Sequence, residues 1–554
     1  MKAPATTQKL RGSYYTPGPI ARFLADWAIQ SASTSILEPS CGAGNILEAA
    51  IETLLTRGAD SSAIPHQVQA VEIDAEEAEK AASRFTTQGI PRLKNVWIGD
   101  FFQFCEQHLF SELRFDAAIG NPPFIRYQNF QEAHRTVAFR LMKHAGLRPT
   151  RLTNSWVPFL VASTLMLNPD GGRLAMVIPA ELLQVGYAAE LRHFLTNNYS
   201  KITLFTFRKL VFADIQQEVV LLLGERNSQN HTGIRTVELN GLDDLVGYQH
   251  KATFADPLKE MNHTTEKWTQ YYLDQHEIDL LRLLRGDKRL TITRSAMDVD
   301  VGIVTGLNEF FVLTEEQAEA QGLLEHTLPI VTRSAHLQGI TFTPEDLRGN
   351  TARRLPSRLL CLPALPLERM PEAIRNYVLM GERKGFHEGY KCRIRNRWYV
   401  VPSVWTPDAF MLRQIHSYPK LILNETEATS TDTIHRVRFV SKLAPKMIVA
   451  AFLNSLTFAF TEIIGRSYGG GVLELEPSEA QALPLPLLNA ERLDCNCLDA
   501  LIRTGNIESV LDITDRVLLK EGLGLSQQDV LNLRGAWYKL RDRRINRNHS
   551  KGLE

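Results

Sequence analysis

A chain of 554 residues, 44% hydrophobic and 22% charged, is long enough for more than one core and too apolar for wholesale disorder. Its 62 basic and 62 acidic residues cancel, so net charge does not announce a nucleic-acid binder, although distribution can outweigh the sum. No apolar run suits a bilayer-spanning helix, the first residues lack the apolar core of a secretory signal, and six scattered cysteines form no zinc signature; a cytoplasmic protein without a metal centre or a membrane is expected.

Up to about Glu225, short apolar runs alternate with helical patterns. Strands are predicted at Ser35–Leu37, Val68–Ile73, Val96–Ile98, Phe115–Ile119, Arg173–Ile178, Ile202–Phe207 and Glu218–Leu223, with amphipathic helices at Ile46–Thr56 and Ala75–Phe85. Such alternation implies a parallel sheet covered on both faces. The polar stretch Arg226–Thr232 reads as a boundary, giving a first domain over residues 1–230. Residues 231–490 are less regular: β-prone runs at Val301–Val304, Trp398–Val401, Lys420–Asn424 and Arg436–Val440 mix with a helix over Ala444–Phe460, as in an α+β module. Residues 491–554 read as a helical tail with a basic end, where Arg534, Lys539, Arg541, Arg543, Arg544, Arg547 and Lys551 face one acid, Asp542. That run, and Arg383–Trp398 with its aromatics, have the composition of a face that tracks phosphates or of a solvated charged surface.

Four strand ends carry the chemistry. Ile36–Asn45 (ILEPSCGAGN) runs from a strand through Gly42 and Gly44 into a helix, a loop that lets a ligand approach the backbone. Glu38 before it would crowd a phosphate but welcome a cationic amino acid end. Glu72, in Val71-Glu-Ile-Asp74, ends the next strand where a ribose diol is gripped in nucleoside-binding sheets. Asp100 and Phe101 follow the third and suit an adenine amino group and ring. A ligand with an amino acid, a ribose, an adenine and no phosphate is S-adenosylmethionine. The fourth strand ends in Asn121-Pro122-Pro123-Phe124, whose two prolines fix φ and remove donors, so the loop presents carbonyls and an amide in a rigid array. If Asn121 Oδ1 and the Pro122 carbonyl accept both hydrogens of an amino group, its lone pair is aimed at an electrophilic methyl. Orientation and electrostatics suffice, without a metal.

In the order of these motifs the chain resembles the gamma class of amino-group DNA methyltransferases from bacterial restriction–modification systems, the TaqI-like group. Ser13-Tyr-Tyr-Thr-Pro17 stands where that class has its N-terminal motif, and Val211-Phe212 before Glu218–Leu223 where it has a phenylalanine against a flipped base. The resemblance implies a doubly wound α/β catalytic domain with a mostly parallel seven-stranded sheet of the class I S-adenosylmethionine-dependent type, then an α+β target recognition domain. It implies methylation of adenine N6 in double-stranded DNA, with the base flipped between Phe124 and Phe212. Cofactor contacts fall on Tyr15, Thr16, Glu38, Pro39, Ser40, Gly42, Gly44, Glu72, Ile73, Asp100 and Phe101; candidate DNA contacts are Arg393, Arg395 and Arg397. A monomer is expected, beside a separate restriction endonuclease for the same site. N4 methylation of cytosine and an inactive DNA-binding subunit remain as alternatives. C5 methylation is excluded, because the chain has no Pro-Cys pair for the nucleophile.

Overall fold

The computed structural model describes residues 15–86, 90–209, 211–212, 218–227, 232–248, 257–264, 266–468 and 470–546. Two compact units divide the chain: Met1–Gln275 with Asn546–Glu554, and His276–Ile545.

The first unit is built on β1 (Ile36–Glu38), β2 (Val68–Glu72), β3 (Val96–Ile98), β4 (Ala117–Gly120), β5 (Arg173–Pro179), β6 (Lys201–Phe207), β7 (Val219–Glu225) and β8 (Gly233–Leu239). They form one sheet in the order β3-β2-β1-β4-β5-β7-β6-β8. β7 runs antiparallel to both β5 and β6, and the other pairings are parallel. The central strands are buried on both faces, which is why they read as continuous apolar runs rather than alternating ones. Helix α1 (Gly18–Ala28) turns Ile20, Phe23 and Leu24 inward, with Phe23 edge-on to Phe205 of β6 at 4.9 Å. α2 (Asn45–Thr56) follows β1, α3 (Ala75–Ser83) follows β2 and α4 (Phe101–His108) follows β3. α5 (Glu132–His144) and α6 (Trp156–Met166) precede β5. α6 is buried almost all round, as its unbroken apolar sequence requires.

Two expectations are corrected. The sheet has eight strands rather than seven, because β8 pairs with β6 across its whole length, Lys201–Phe207 against Gly233–Leu239. The unit therefore ends near residue 275 rather than 230. Arg226–Thr232 is the connection from β7 to β8, with 228–231 outside the described residues. Beyond it Lys259 bridges Ile234 in β8, and the buried Arg192 guanidinium donates to the Glu266 carbonyl at 2.8 Å.

The second unit holds a five-stranded sheet of β9 (Met297–Asp300), β10 (Thr341–Phe342), β11 (Ala409–Leu412), β12 (Leu421–Asn424) and β13 (Ile434–Phe439), in the order β9-β13-β11-β12-β10, with three smaller sheets. Val301–Val304 contributes only one bridge, Ile303 to Thr431, and Trp398–Val401 forms no strand. The β-prone residues of the latter fill a core instead: Trp398 lies 4.7 Å from the Phe310 ring and Tyr399 donates to the Leu365 carbonyl at 2.8 Å. The single helix expected over Ala444–Phe460 is two, α7 (Pro445–Phe452) and α8 (Ser455–Ile464), meeting at 72°. Asn454 causes the break by capping α8: its Oδ1 accepts from Thr457 N at 2.8 Å while its Nδ2 donates to the Ala451 carbonyl at 2.7 Å.

The expected C-terminal tail belongs to this unit as far as Ile545. Its last helix, α9 (Gln527–Asn546), buries Trp537 against Phe458, with ring centres 5.0 Å apart. The basic run is paired internally rather than presented to phosphates. Arg534 meets Asp512 and Asp515, Lys539 meets Glu277, and Arg544 enters the interior beside Glu462. Arg547 and Lys551 lie outside the described residues.

Candidate active site

The carboxyl ends of β1 to β4 bring four motifs to one sheet edge, the edge at which parallel α/β sheets bind ligands. After Glu38 the chain turns through Pro39–Gly44, and Cys41 N donates to the Val71 carbonyl of β2 at 3.0 Å. Gly42 has φ +50°, and a Cβ there would meet nothing within 4 Å, so its glycine answers backbone conformation and leaves open space above the loop. Gly42 N donates to Glu72 Oε2 at 2.8 Å and Asp74 N to Glu72 Oε1 at 2.9 Å, which ties the end of β2 to the glycine loop. Gly44 caps α2.

Glu38 is 1% exposed, and no hydrogen-bond donor reaches its Oε2 among the described residues. Burial, and secondarily the neighbouring Glu72 charge, push its carboxyl well above the usual carboxylate range. A buried carboxyl with an unmet oxygen beside an open glycine loop fits a cationic group better than an anionic one.

The Asn121 loop joins this set at close range. A Cβ at Gly120 would stand 3.0 Å from Pro39 Cδ, so the absence of a side chain lets the Pro39 ring nest on the end of β4. Ser40 Oγ then donates to the Asn121 carbonyl at 3.4 Å, and Asn121 Nδ2 donates to Thr16 Oγ1 at 3.2 Å. Pro122 is buried, while Pro123 and Phe124 are half-buried. Phe124 packs on the apolar cluster that contains Phe212, itself 6% exposed. Tyr15 is exposed at the entry to this region; Ser13 and Tyr14 lie outside the described residues.

Asp100 and Phe101 sit as expected after β3, but their surroundings differ from the reading above. Asp100 Oδ1 caps α4 by accepting from Gln103 N at 3.0 Å, and Oδ2 lies 2.8 Å from His134 Nδ1. Phe101 is 2% exposed and stacks on Phe159 at 5.2 Å, so its ring belongs to the core. The open apolar surface at this rim comes from Ile73 and Ile98, which are 59% and 58% exposed.

Sequence reasoning missed His134. It also missed Arg84, which donates to the Ala43 carbonyl at 2.9 Å and Asn45 Oδ1 at 3.1 Å and pairs with Glu48 at 2.8 Å, bracing the glycine loop from just beyond α3. Neither lies in a motif; each reaches the site from a neighbouring helical segment.

Two family models match the chain: Eco57I restriction-modification methylase over residues 45–212, and Type II methyltransferase M.Eco57I, C-terminal domain, over residues 265–519. In these two stretches, each less than half of its length, the chain is similar to Eco57I-like type II restriction–modification methyltransferases. It is 24% identical to the type II methyltransferase M.XamI of Xanthomonas campestris pv. amaranthicola, over 86% of this chain and 85% of that one. It is 26% identical to M.BstVI of Geobacillus stearothermophilus, over 58% of this chain and 63% of that relative. Among solved structures, the type IIL restriction-modification enzyme MmeI in complex with DNA aligns with a TM-score of 0.58 and 11% identity, over 95% of this chain and 75% of MmeI, a likeness of fold.

The three candidate arginines fall within the stretch similar to the M.Eco57I C-terminal domain and lie in the second unit. Arg393 is exposed and Arg397 half-exposed. Arg395 is committed to architecture: its guanidinium donates to the Val304 and Thr305 carbonyls at 2.9 and 2.7 Å and lies over the Phe311 ring at 5.5 Å.

Proposed function

We propose that this DNA methyltransferase modifies N6 of an adenine in a short duplex sequence, using S-adenosylmethionine as donor and acting as the protective member of a restriction–modification pair. The observation that carries this reading is the Asn121 loop, held at the end of β4 beside Glu38 and the open glycine loop.

The cofactor, when bound, supplies an electrophilic methyl group. Glu38 is suited to a positive charge, Glu72 to the ribose hydroxyls, Ile73 and Asp100 to the adenine ring and its amino group, and Thr16 with Tyr15 to closing the pocket. The target base unstacks and enters between Phe124 and the cluster that holds Phe212, where Phe124 stacks on it. Asn121 Oδ1 and the Pro122 carbonyl accept the two hydrogens of its amino group. With both N–H bonds engaged, the nitrogen lone pair is directed out of the ring's π-system toward the methyl. The rigid proline pair keeps both acceptors from relaxing as charge develops. The second unit reads the sequence, with Arg393 and Arg397 on phosphates or base edges. We place the enzyme in the cytoplasm as a monomer, with a separate endonuclease sharing its site.

Single-molecule sequencing of DNA from a methylation-deficient host expressing the chain, beside an Asn121→Ala control, tests the reading. N6-methyladenine at one motif, lost in the control, supports it. N4-methylcytosine would overturn the base assignment, no modified base from a soluble, cofactor-binding protein would point to RNA or protein as substrate, and a protein that binds no S-adenosylmethionine would favour an inactive DNA-binding subunit.

A further inference from the structure

The Asn121 loop cannot hold itself. Pro122 and Pro123 carry no amide hydrogen, so neither can donate a hydrogen bond to its neighbours as a turn or strand residue would. Ser40 and Thr16 hold its start at Asn121, and the residues that hold the rest are not in any motif. Ser155, 1% exposed at the start of α6, meets the loop three times. Its Oγ donates to the Pro123 carbonyl and accepts from Ile125 N at 2.8 Å, and its own N donates to the Ile125 carbonyl at 2.9 Å. One residue earlier, Asn154 Oδ1 accepts from Tyr127 N at 3.2 Å. The Asn154 amide is fixed in turn, since its Nδ2 donates to Tyr187 Oη at 3.1 Å and Tyr187 donates to Glu181, just after β5.

We infer that Asn154 and Ser155 are positioning residues of the methyl transfer: they clamp the backbone from Pro123 to Tyr127 and so fix the direction of the Phe124 ring and of the Pro122 carbonyl. The inference rests on the adenine reading of the same site. Phe124 lies between two backbone positions that Ser155 holds, so it cannot swing without breaking buried hydrogen bonds. Removing the clamp deletes no group that touches cofactor or base, yet it lets the two acceptors and the stacking ring wander. A displacement of about 1 Å at reacting groups lowers rates on the order of 100-fold.

The test compares full-length wild type with Ser155→Ala, Ser155→Thr and Tyr187→Phe on duplex DNA containing the sequenced motif. Ser155→Ala is expected to slow single-turnover methylation on the order of 100-fold, with the KM values for DNA and S-adenosylmethionine little changed. Ser155→Thr, which keeps the hydroxyl, recovers most of the rate. Tyr187→Phe, which keeps the ring but removes the hydroxyl that links the Asn154 amide to Glu181, gives a smaller loss of the same kind, and it serves if Ser155→Ala does not fold. Hydrogen exchange at the Ile125 and Tyr127 amides gives a readout independent of the reaction, with protection expected in wild type and lost in Ser155→Ala and Tyr187→Phe respectively. An unchanged chemical step in folded variants overturns the inference, as does a rate loss matched by equal weakening of cofactor binding. A wild-type enzyme that leaves adenine unmethylated would overturn the functional reading instead; unprotected Ile125 and Tyr127 amides would then sink the clamp as well.

Discussion

Arg544 and Glu462 are 2% and 6% exposed, and they close the second unit from its last helix. The guanidinium donates to both Glu462 oxygens, at 3.0 and 2.6 Å, and to the carbonyls of Ile415 and Gly471. Arg544→Met removes the cation and leaves a buried carboxylate, a change that costs about 3–5 kcal/mol when one partner of a buried pair is lost. Adding Glu462→Leu removes the stranded charge. Two carbonyls then still lack a donor, at about 1 kcal/mol each, so the double variant should fall short of wild type by about 1–3 kcal/mol. The pH dependence adds a second signature. Burial raises the Glu462 carboxyl above its ordinary range despite Arg544, so ionising it costs stability as pH climbs from the unfolded value toward the folded one. Without the cation that folded value rises further, and the deficit of the single variant should be larger at about pH 8 than at about pH 5. Urea unfolding of the full chain, followed by tryptophan fluorescence and by hydrogen exchange in α9, reads these differences. A double variant as unstable as the single one, or a single-variant deficit that shrinks at high pH, would refute the reasoning.

Three further outcomes are expected. Glu38→Gln should leave the cofactor-free protein as stable or more so, because it relieves a buried charge, while weakening S-adenosylmethionine binding in titration calorimetry. In wild type, the raised Glu38 carboxyl makes binding release a proton and makes affinity fall as pH drops below that raised value, a window the glutamine variant should lack. Gly120→Ala sets a methyl 3.0 Å from Pro39 Cδ and should cost about 1–3 kcal/mol by overpacking, with activity falling further than stability, as thermal melts and initial rates will show. Arg393→Ala should lower the salt dependence of DNA affinity by about one unit of slope with stability unchanged, whereas Arg395→Ala should lower the melting temperature instead, since its guanidinium anchors Val304 and Thr305.

The first seven strands were legible as short apolar runs between helical patterns, and β1, β4, β5, β6 and β7 are buried along most or all of their length. β8 was not: Arg235, Thr236 and Glu238 interrupt it, as suits an edge strand, and the polar Arg226–Thr232 connection imitates a domain boundary. Glu38, Glu72, Asp100 and Asn121 could be found because a parallel sheet turns consecutive strand ends into one site. Arg84, His134, Asn154 and Ser155 could not, because helices bring them to that edge and their neighbours in sequence show no pattern. In the second unit β-propensity misled at Trp398–Val401, where large side chains plug a core. The basic residues near the end were read by charge alone, and their partners lie far away in the chain.

That distant pairing sets an order of assembly on the ribosome. The eight-stranded sheet is complete once β8 has emerged, whereas the second unit waits for α9, whose Trp537 fills a place beside Phe458. At roughly 5–20 residues per second, synthesis of the intervening chain takes on the order of tens of seconds. Throughout that interval the nascent protein carries a finished first sheet and an unfinished second unit. The hydrophobic wall around Phe458 is meanwhile exposed to chaperones and proteases. A ribosome that stalls before Trp537 would thus leave Phe458 without the ring that packs against it.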